Sequence, residues 1–213
     1  MSDMLTISID STSVQQIVAA GQYVTVLQSV QSYVQSAFAT AFATTAGQPL
    51  AIAWLTFRPF PTTVITWPPN YALYASPAAP ASGVQVRPAA AQNASEFQSY
   101  PFQNNTFGTP ASTSTAGYSV HNLQGRAMTF GLALSATVNQ EPLPVTPINA
   151  STLLNNQVGQ FTPAAAVAVF LSTISSSGTA FAPFGEPVYY AVRNGSVSLQ
   201  YQASNSTFVP TTS

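Results

Sequence analysis

One histidine, five carboxylates and four arginines make up the ionisable chemistry of this chain outside its tyrosines and termini. A serine hydrolase would have to use His121, in Tyr118-Ser-Val-His-Asn122, as its base, with Asp3, Asp10 or a glutamate to orient it. No Gly-x-Ser-x-Gly elbow presents a serine, so a lone histidine hydrogen-bonded in or near the core is the simpler expectation. Glycosidase chemistry would draw its two carboxyls from Glu96, Glu141 and Glu186. All three fall in or beside predicted loops, where turn capping and solubility account for them. His121 with a carboxylate and backbone carbonyls suits a hard cation, yet no spaced cluster such as His-x-x-x-His occurs, and a metal is disfavoured. Gly125-Arg-Ala-Met-Thr-Phe-Gly131 lacks the lysine and the glycine spacing of a phosphate-binding loop, so no nucleotide cofactor is expected. The chain reads as a protein that is not an enzyme.

Aromatic side chains are what it has in quantity, at 11% of residues, and Trp54, Phe57, Phe60, Trp67, Tyr71 and Tyr74 lie close together in sequence. Rings with polar tips, among uncharged amides and hydroxyls, are the usual lining of a site for a flat, neutral molecule. The expected ligand-binding set is Trp54, Trp67, Tyr71, Tyr74 and Phe130, with His121 or Arg126 fixing orientation. Phe130 and His121 would share one cavity if their strands are neighbours. Arg126 and Arg58 are placed to orient an acidic or phenolic group. The same rings would equally serve as interior filling of a β fold. On the binding reading, the cofactor is a non-covalent organic chromophore or a similar small, flat, largely apolar molecule.

Those few groups must be held by a chain of 213 residues, 46% hydrophobic, which has material for one core. A single domain spanning residues 1–213 is expected. Charged residues make only 4% and lysine is absent. Four scattered arginines cannot displace the counterions of a nucleic-acid backbone, so no nucleic acid is expected as a partner. Disorder is excluded because the chain is apolar and charge-poor, the reverse of a disordered composition. No cysteine is present, which removes disulfides, thiolate metal sites and cysteine nucleophiles. The N-terminal MSDMLTISIDSTSV carries Asp3 and Asp10 and no basic region, unlike a signal peptide, and a cytoplasmic location is expected. The sequons at Asn93, Asn104, Asn149, Asn194 and Asn205 are accordingly expected to stay unmodified. Glutamines interrupt the uncharged stretch from Ser11 to Phe57, so no transmembrane segment is expected. With a formal net charge of −1 and no lysine guarding strand edges, copies of the chain can approach closely, and a homo-oligomer is compatible with the sequence.

The elements that position these residues are mostly strands. Met4–Ile9 alternates, Asp10 to Ser13 offer helix caps, and Val14, Ile17 and Val18 sit at helical spacing before Gly21. Gln22 to Val30 alternates again. Residues 31–46 fit a helical stripe and are expected as helix or irregular structure. Short β-branched and aromatic runs follow at Leu50 to Phe57, Thr63 to Trp67 and Tyr71 to Ser76, broken by prolines. The segment from Pro77 to Ala116 is loop-rich, ordered only around Gly83 to Arg87 and Tyr100 to Phe107. Strands return at Tyr118 to Asn122, Ala127 to Val138 and Leu143 to Ile148, and a helical turn at Ser151 to Asn155. Ala164 to Ile174, Pro187 to Val192 and Val197 to Gln202 complete the set, with an Asn194-Gly195 hairpin turn between the last two. About ten short strands predict a mainly β, single-domain antiparallel sandwich or flattened barrel with one or two short N-terminal helices.

The segments AWLTF (Ala53 to Phe57), ITWPPNYALYAS (Ile65 to Ser76) and TFGLAL (Thr129 to Leu134), with the size and composition, resemble cysteine-free proteins that mushrooms accumulate in fruiting bodies. That group includes lectins, cytolysins and a pink chromoprotein of oyster mushrooms, the last being nearest in size and composition. The resemblance is general over most of the chain and carries no residue across. It implies a non-enzymatic protein holding a coloured organic molecule. Two other expectations stand beside it: a self-assembling or storage protein without ligand, and a carbohydrate-binding or membrane-active defence protein.

Overall fold

In the computed structural model, residues 2–36, 50–183 and 186–211 are described. The fold is mainly β, 57% strand against 5% helix, with curled sheets forming a half-barrel. That proportion fits the β-sandwich or flattened barrel read from the sequence. None of the helices is long and apolar enough to cross a membrane among the described residues.

The single helix among the described residues, Ser11–Ala19, starts where the sequence offers a cap: Asp10 Oδ1 accepts the Ser13 N–H at 2.9 Å. Hydrogen bonds from Ser13 hold the Asp10 carboxyl below the ordinary carboxylate range. A nine-stranded sheet runs Thr207–Pro210, Ser196–Gln202, Asp3–Ser8, Thr62–Trp67, Met128–Val138, Ala72–Ser76, Ala90–Asn93. Glu141–Pro147 and Ser151–Leu153 also pair with Met128–Val138. An eight-stranded sheet runs Ala111–Ser112, Gln98–Gln103, Tyr118–Asn122, Gln157–Ser172, Tyr23–Ser36, Leu55–Phe57, with Tyr189–Ala191 and Thr106–Phe107 attached. Thr179–Phe181 and Ala51–Ala53 make a two-stranded third sheet.

Residues 31–36 are strand, not helix. They continue Tyr23–Ser36 along Gln157–Ser172, from Tyr23↔Ser172 to Ser36↔Gln157, and a ladder of that length outweighs a local helical stripe. The rest of the expected helix, 37–46, lies outside the described residues. The ladder slips between Pro163 and Val167, and there the Gln28 amide donates to Ala164 O at 3.1 Å. Ser151–Leu153 is a strand rather than a helical turn, held against Met128–Phe130. Two pairings are parallel, Asp3–Ser8 with Ser196–Gln202 and Tyr118–Asn122 with Gln98–Gln103, so the sheets are not purely antiparallel. The stretch from Pro77 to Ala116 holds four short strands, and Gly83 to Arg87 forms no strand but lies along residues 178–180 through the bridge Gln85↔Thr179 and backbone hydrogen bonds.

The Asn194-Gly195 turn forms as expected, with φ of 52° and 78° and mutual Arg193–Ser196 hydrogen bonds. Its flanking strands nevertheless join different sheets, Tyr189–Ala191 one and Ser196–Gln202 the other. Beyond the single Arg193↔Ser196 bridge the two flanking strands do not pair, and the turn passes the chain between layers.

One core lies between the two large sheets, with Leu5, Ile7, Ile65, Leu132, Leu134, Val120 and Phe161 in it. A second, smaller cluster of Ile52, Tyr74, Val86, Ala133 and Ala180 packs separately. Met128–Val138 is buried along nearly its whole length because clusters cover both of its faces. Gly131 is required here by close approach: a Cβ would lie 2.3 Å from Asn149 O and 2.8 Å from a Tyr74 ring carbon.

Candidate functional site

Of the aromatic residues expected to line a pocket, Trp54, Trp67, Tyr71 and Phe130 share the main core cluster and Tyr74 lies in the smaller one. Trp54 stands where the chain leaves Ala51–Ala53 for Leu55–Phe57, so its side chain drops between sheets. It meets Trp67 edge to face, with ring centroids 5.4 Å apart, and its Nε1 donates to Leu134 O at 3.2 Å. Both indoles are essentially unexposed. Phe130 packs edge to face on Phe102 at 5.2 Å. Tyr74 belongs to the smaller cluster and gives its O–H to Asn149 O at 2.7 Å, and burial pushes its pKa well above the ordinary tyrosine value.

Tyr71 sits at the core margin, 5.5 Å from the Tyr118 ring. Burial, with Tyr118, Asp3 and Glu96 nearby, raises its pKa to about 12. Tyr118 is raised to about 12 by burial, Glu96 and Tyr100. Next to Glu96, the half-exposed Phe97 takes φ 59°, unusual for a bulky side chain, while its N–H and C=O bond to Gly117 and Thr113.

His121 and Phe130 do not share a cavity. Their strands lie in different sheets, and Tyr118 and Val120 point into the core, so alternation turns His121 to the other face. His121 is half-buried, its Nε2 without a hydrogen-bond partner. Arg126 and Arg58 are exposed; Arg126 contributes its backbone carbonyl, which accepts from the buried Asn122 amide at 2.8 Å. No group of three or more His, Asp or Glu side chains could hold a metal ion among the described residues.

An open space exists elsewhere. A groove of about 390 Å³ is lined by residues 85–88, 144–147 and 176–178, within the size range of small-molecule sites. One wall comes from the Gly83–Arg87 run, which leans on the two-stranded sheet: Gly83 N donates to Ala180 O and Val86 N to Gly178 O. Val86 turns into the smaller core cluster, which leaves Gln85 and Arg87 on the open side. The opposite wall is the end of Glu141–Pro147, where Pro144 and Pro147 flank the half-exposed Val145. Ser177 fixes the floor, its Oγ accepting from Thr56 N at 2.9 Å.

The polar groups of the groove form a relay. Gln85 Nε2 donates to Ser177 O at 2.8 Å, and Gln85 Oε1 accepts from Arg87 Nε at 3.3 Å. Arg87 is the one charged side chain in the lining, which otherwise offers amide, hydroxyl, proline and valine groups. Such a surface can stack a flat body and hydrogen-bond its polar end. Sequence reasoning passed over Arg87 because it sits in a weakly patterned segment. The available signal was its rarity, as one of four cations in the chain, next to an ordered GVQVR run. Comparison with protein-family models, with curated proteins and with solved structures finds no match to this chain.

Proposed function

We propose that this protein is a non-catalytic binder of a small, flat organic molecule, and that the molecule sits in the Arg87 groove. The observation that carries the reading is the groove itself, about 390 Å³, with Pro144, Val145 and Pro147 on one wall facing Gln85 and Arg87 on the other. The buried tryptophans favour this position over the aromatic stripe, because a ligand between Trp54 and Trp67 would have to displace packed core. Catalysis is disfavoured by the lining, which holds no carboxylate, imidazole or amine to move a proton. Prolines 142, 144 and 147 deprive the Glu141–Pro147 strand of three N–H groups, which favours a small molecule over an added peptide strand.

Protein purified from its natural source, examined by native and denaturing mass spectrometry with a visible absorption spectrum, tests the proposal. A small organic molecule that is released on unfolding, and absent from the Val145→Trp variant, supports it. A visible band would make that molecule a pigment. A protein of apo mass alone would overturn it.

A further inference from the structure

We propose that the groove selects ligands bearing an oxyanion, a carboxylate or sulfonate on a flat apolar body, and that Arg87 is the group that binds it. This rests on the groove being the ligand site. Arg87 is the sole ionisable side chain in the lining, and among the described residues its only side-chain hydrogen bond is from Nε to Gln85 Oε1 at 3.3 Å. The two terminal nitrogens therefore keep their N–H donors, in the planar fork that matches two oxygens of one anion.

The orientation of that fork is built. Gln85 Nε2 is committed to Ser177 O at 2.8 Å, which forces Oε1 toward the guanidinium. The flipped amide would set carbonyl against carbonyl and N–H against N–H. Gln85 is thus a positioning residue for Arg87. No carboxylate lies in the lining to neutralise the guanidinium, and a chain with 4% charged residues has few other charges to compete for an anion. A neutral ligand would gain the prolines and Val145 but leave the guanidinium to water.

The experiment uses two fluorescent probes of the same shape, anilinonaphthalene sulfonate and the uncharged phenylnaphthylamine, titrated into the full chain and three variants. The native protein is expected to bind the sulfonate about tenfold more tightly, one charge-assisted hydrogen-bonded contact. Arg87→Gln is expected to abolish that preference and keep the neutral probe. Gln85→Leu is expected to lower sulfonate affinity several-fold without moving the neutral probe, which a merely structural defect would not do. Val145→Trp, at a half-exposed position, fills the groove and is expected to weaken both probes.

Equal binding of the two probes by native protein and Arg87→Gln, with both lost in Val145→Trp, overturns the oxyanion proposal and leaves the groove as the binding site. Two probes that ignore Val145→Trp, or that fail to bind the native protein at all, overturn the groove reading and this inference with it.

Discussion

The Trp54–Trp67 pair and the Arg87 groove place polar atoms against apolar surface in opposite ways. At the pair, packing consumes the faces of both rings, and the Trp54 N–H is spent on Leu134 O. At the groove, one hydrogen bond orients the guanidinium and the rest of its donors stay open. A side chain whose contacts are already satisfied inside the protein has little left for a ligand. The difference teaches that richness in aromatics reports core volume here, whereas donor capacity left open beside a groove is what a ligand could use.

The comparison breaks most visibly where packing is tightest. Gly131→Ala would set a methyl 2.3 Å from a backbone carbonyl of Asn149, and a loss of about 3 kcal/mol in urea-measured stability is expected from overpacking. Probe binding at the groove should survive in the folded fraction. A stability equal to native would mean that the Asn149 segment can step aside.

Within the tryptophan pair, the two rings should not be equivalent. Trp54→Phe removes the Nε1 hydrogen bond to Leu134 O, whereas Trp67 Nε1 has no hydrogen-bond partner to lose among the described residues. Losses of about 3 kcal/mol for Trp54→Phe and about 1 kcal/mol for Trp67→Phe are expected from volume plus, at Trp54, the lost hydrogen bond. Equal losses would show that ring volume alone decides.

High pH sharpens the contrast next. Tyr71 and Tyr118 are raised from an ordinary value of 10.0 to about 12 in the folded protein. The unfolded chain therefore releases these protons first. Their contribution is whole below pH 10 and falls away as pH rises toward 12. Thermal melting temperature should decline across that interval, less steeply in the Tyr71→Phe, Tyr118→Phe double variant. Neither tyrosine lines the groove, so sulfonate binding should hold until the fold itself gives way.

The smallest effect is expected at Arg126, one of the residues picked out by the sequence. Its side chain is exposed and its carbonyl does the bonding. Arg126→Gln should change stability by less than about 0.5 kcal/mol and leave probe binding unaltered. A loss of binding there would move the site away from the groove.

Local patterns in the sequence were read well where the physics is local. Tyr118–Asn122 appears with the expected ends, Asp10 caps the helix, and Asn194-Gly195 makes its turn. The pattern failed where a local helical stripe met a distant partner: residues 31–46 fit a helix, and for residues 31–36 the facing Gln157–Ser172 strand decides otherwise. Of the candidate site, the residue types were legible and their surroundings were not. Trp54, Trp67, Tyr74 and Phe130 carry the same side chains whether they line a pocket or fill a core. What covers the second face of each strand comes from distant sequence.

By itself the sequence determined a β-rich chain with one helix start, few titratable groups and no thiol chemistry, because composition and period-two alternation belong to neighbouring residues. Tertiary structure alone decided that Met4 lies beside Ser196 in a parallel pair, that the Asn194 turn joins two sheets, and that the tryptophans are sealed. It also decided that Arg87, from a weakly patterned stretch, faces an open groove. Pairing partners far apart in the chain are chosen by which faces can be buried together, and that choice sets which polar groups remain free.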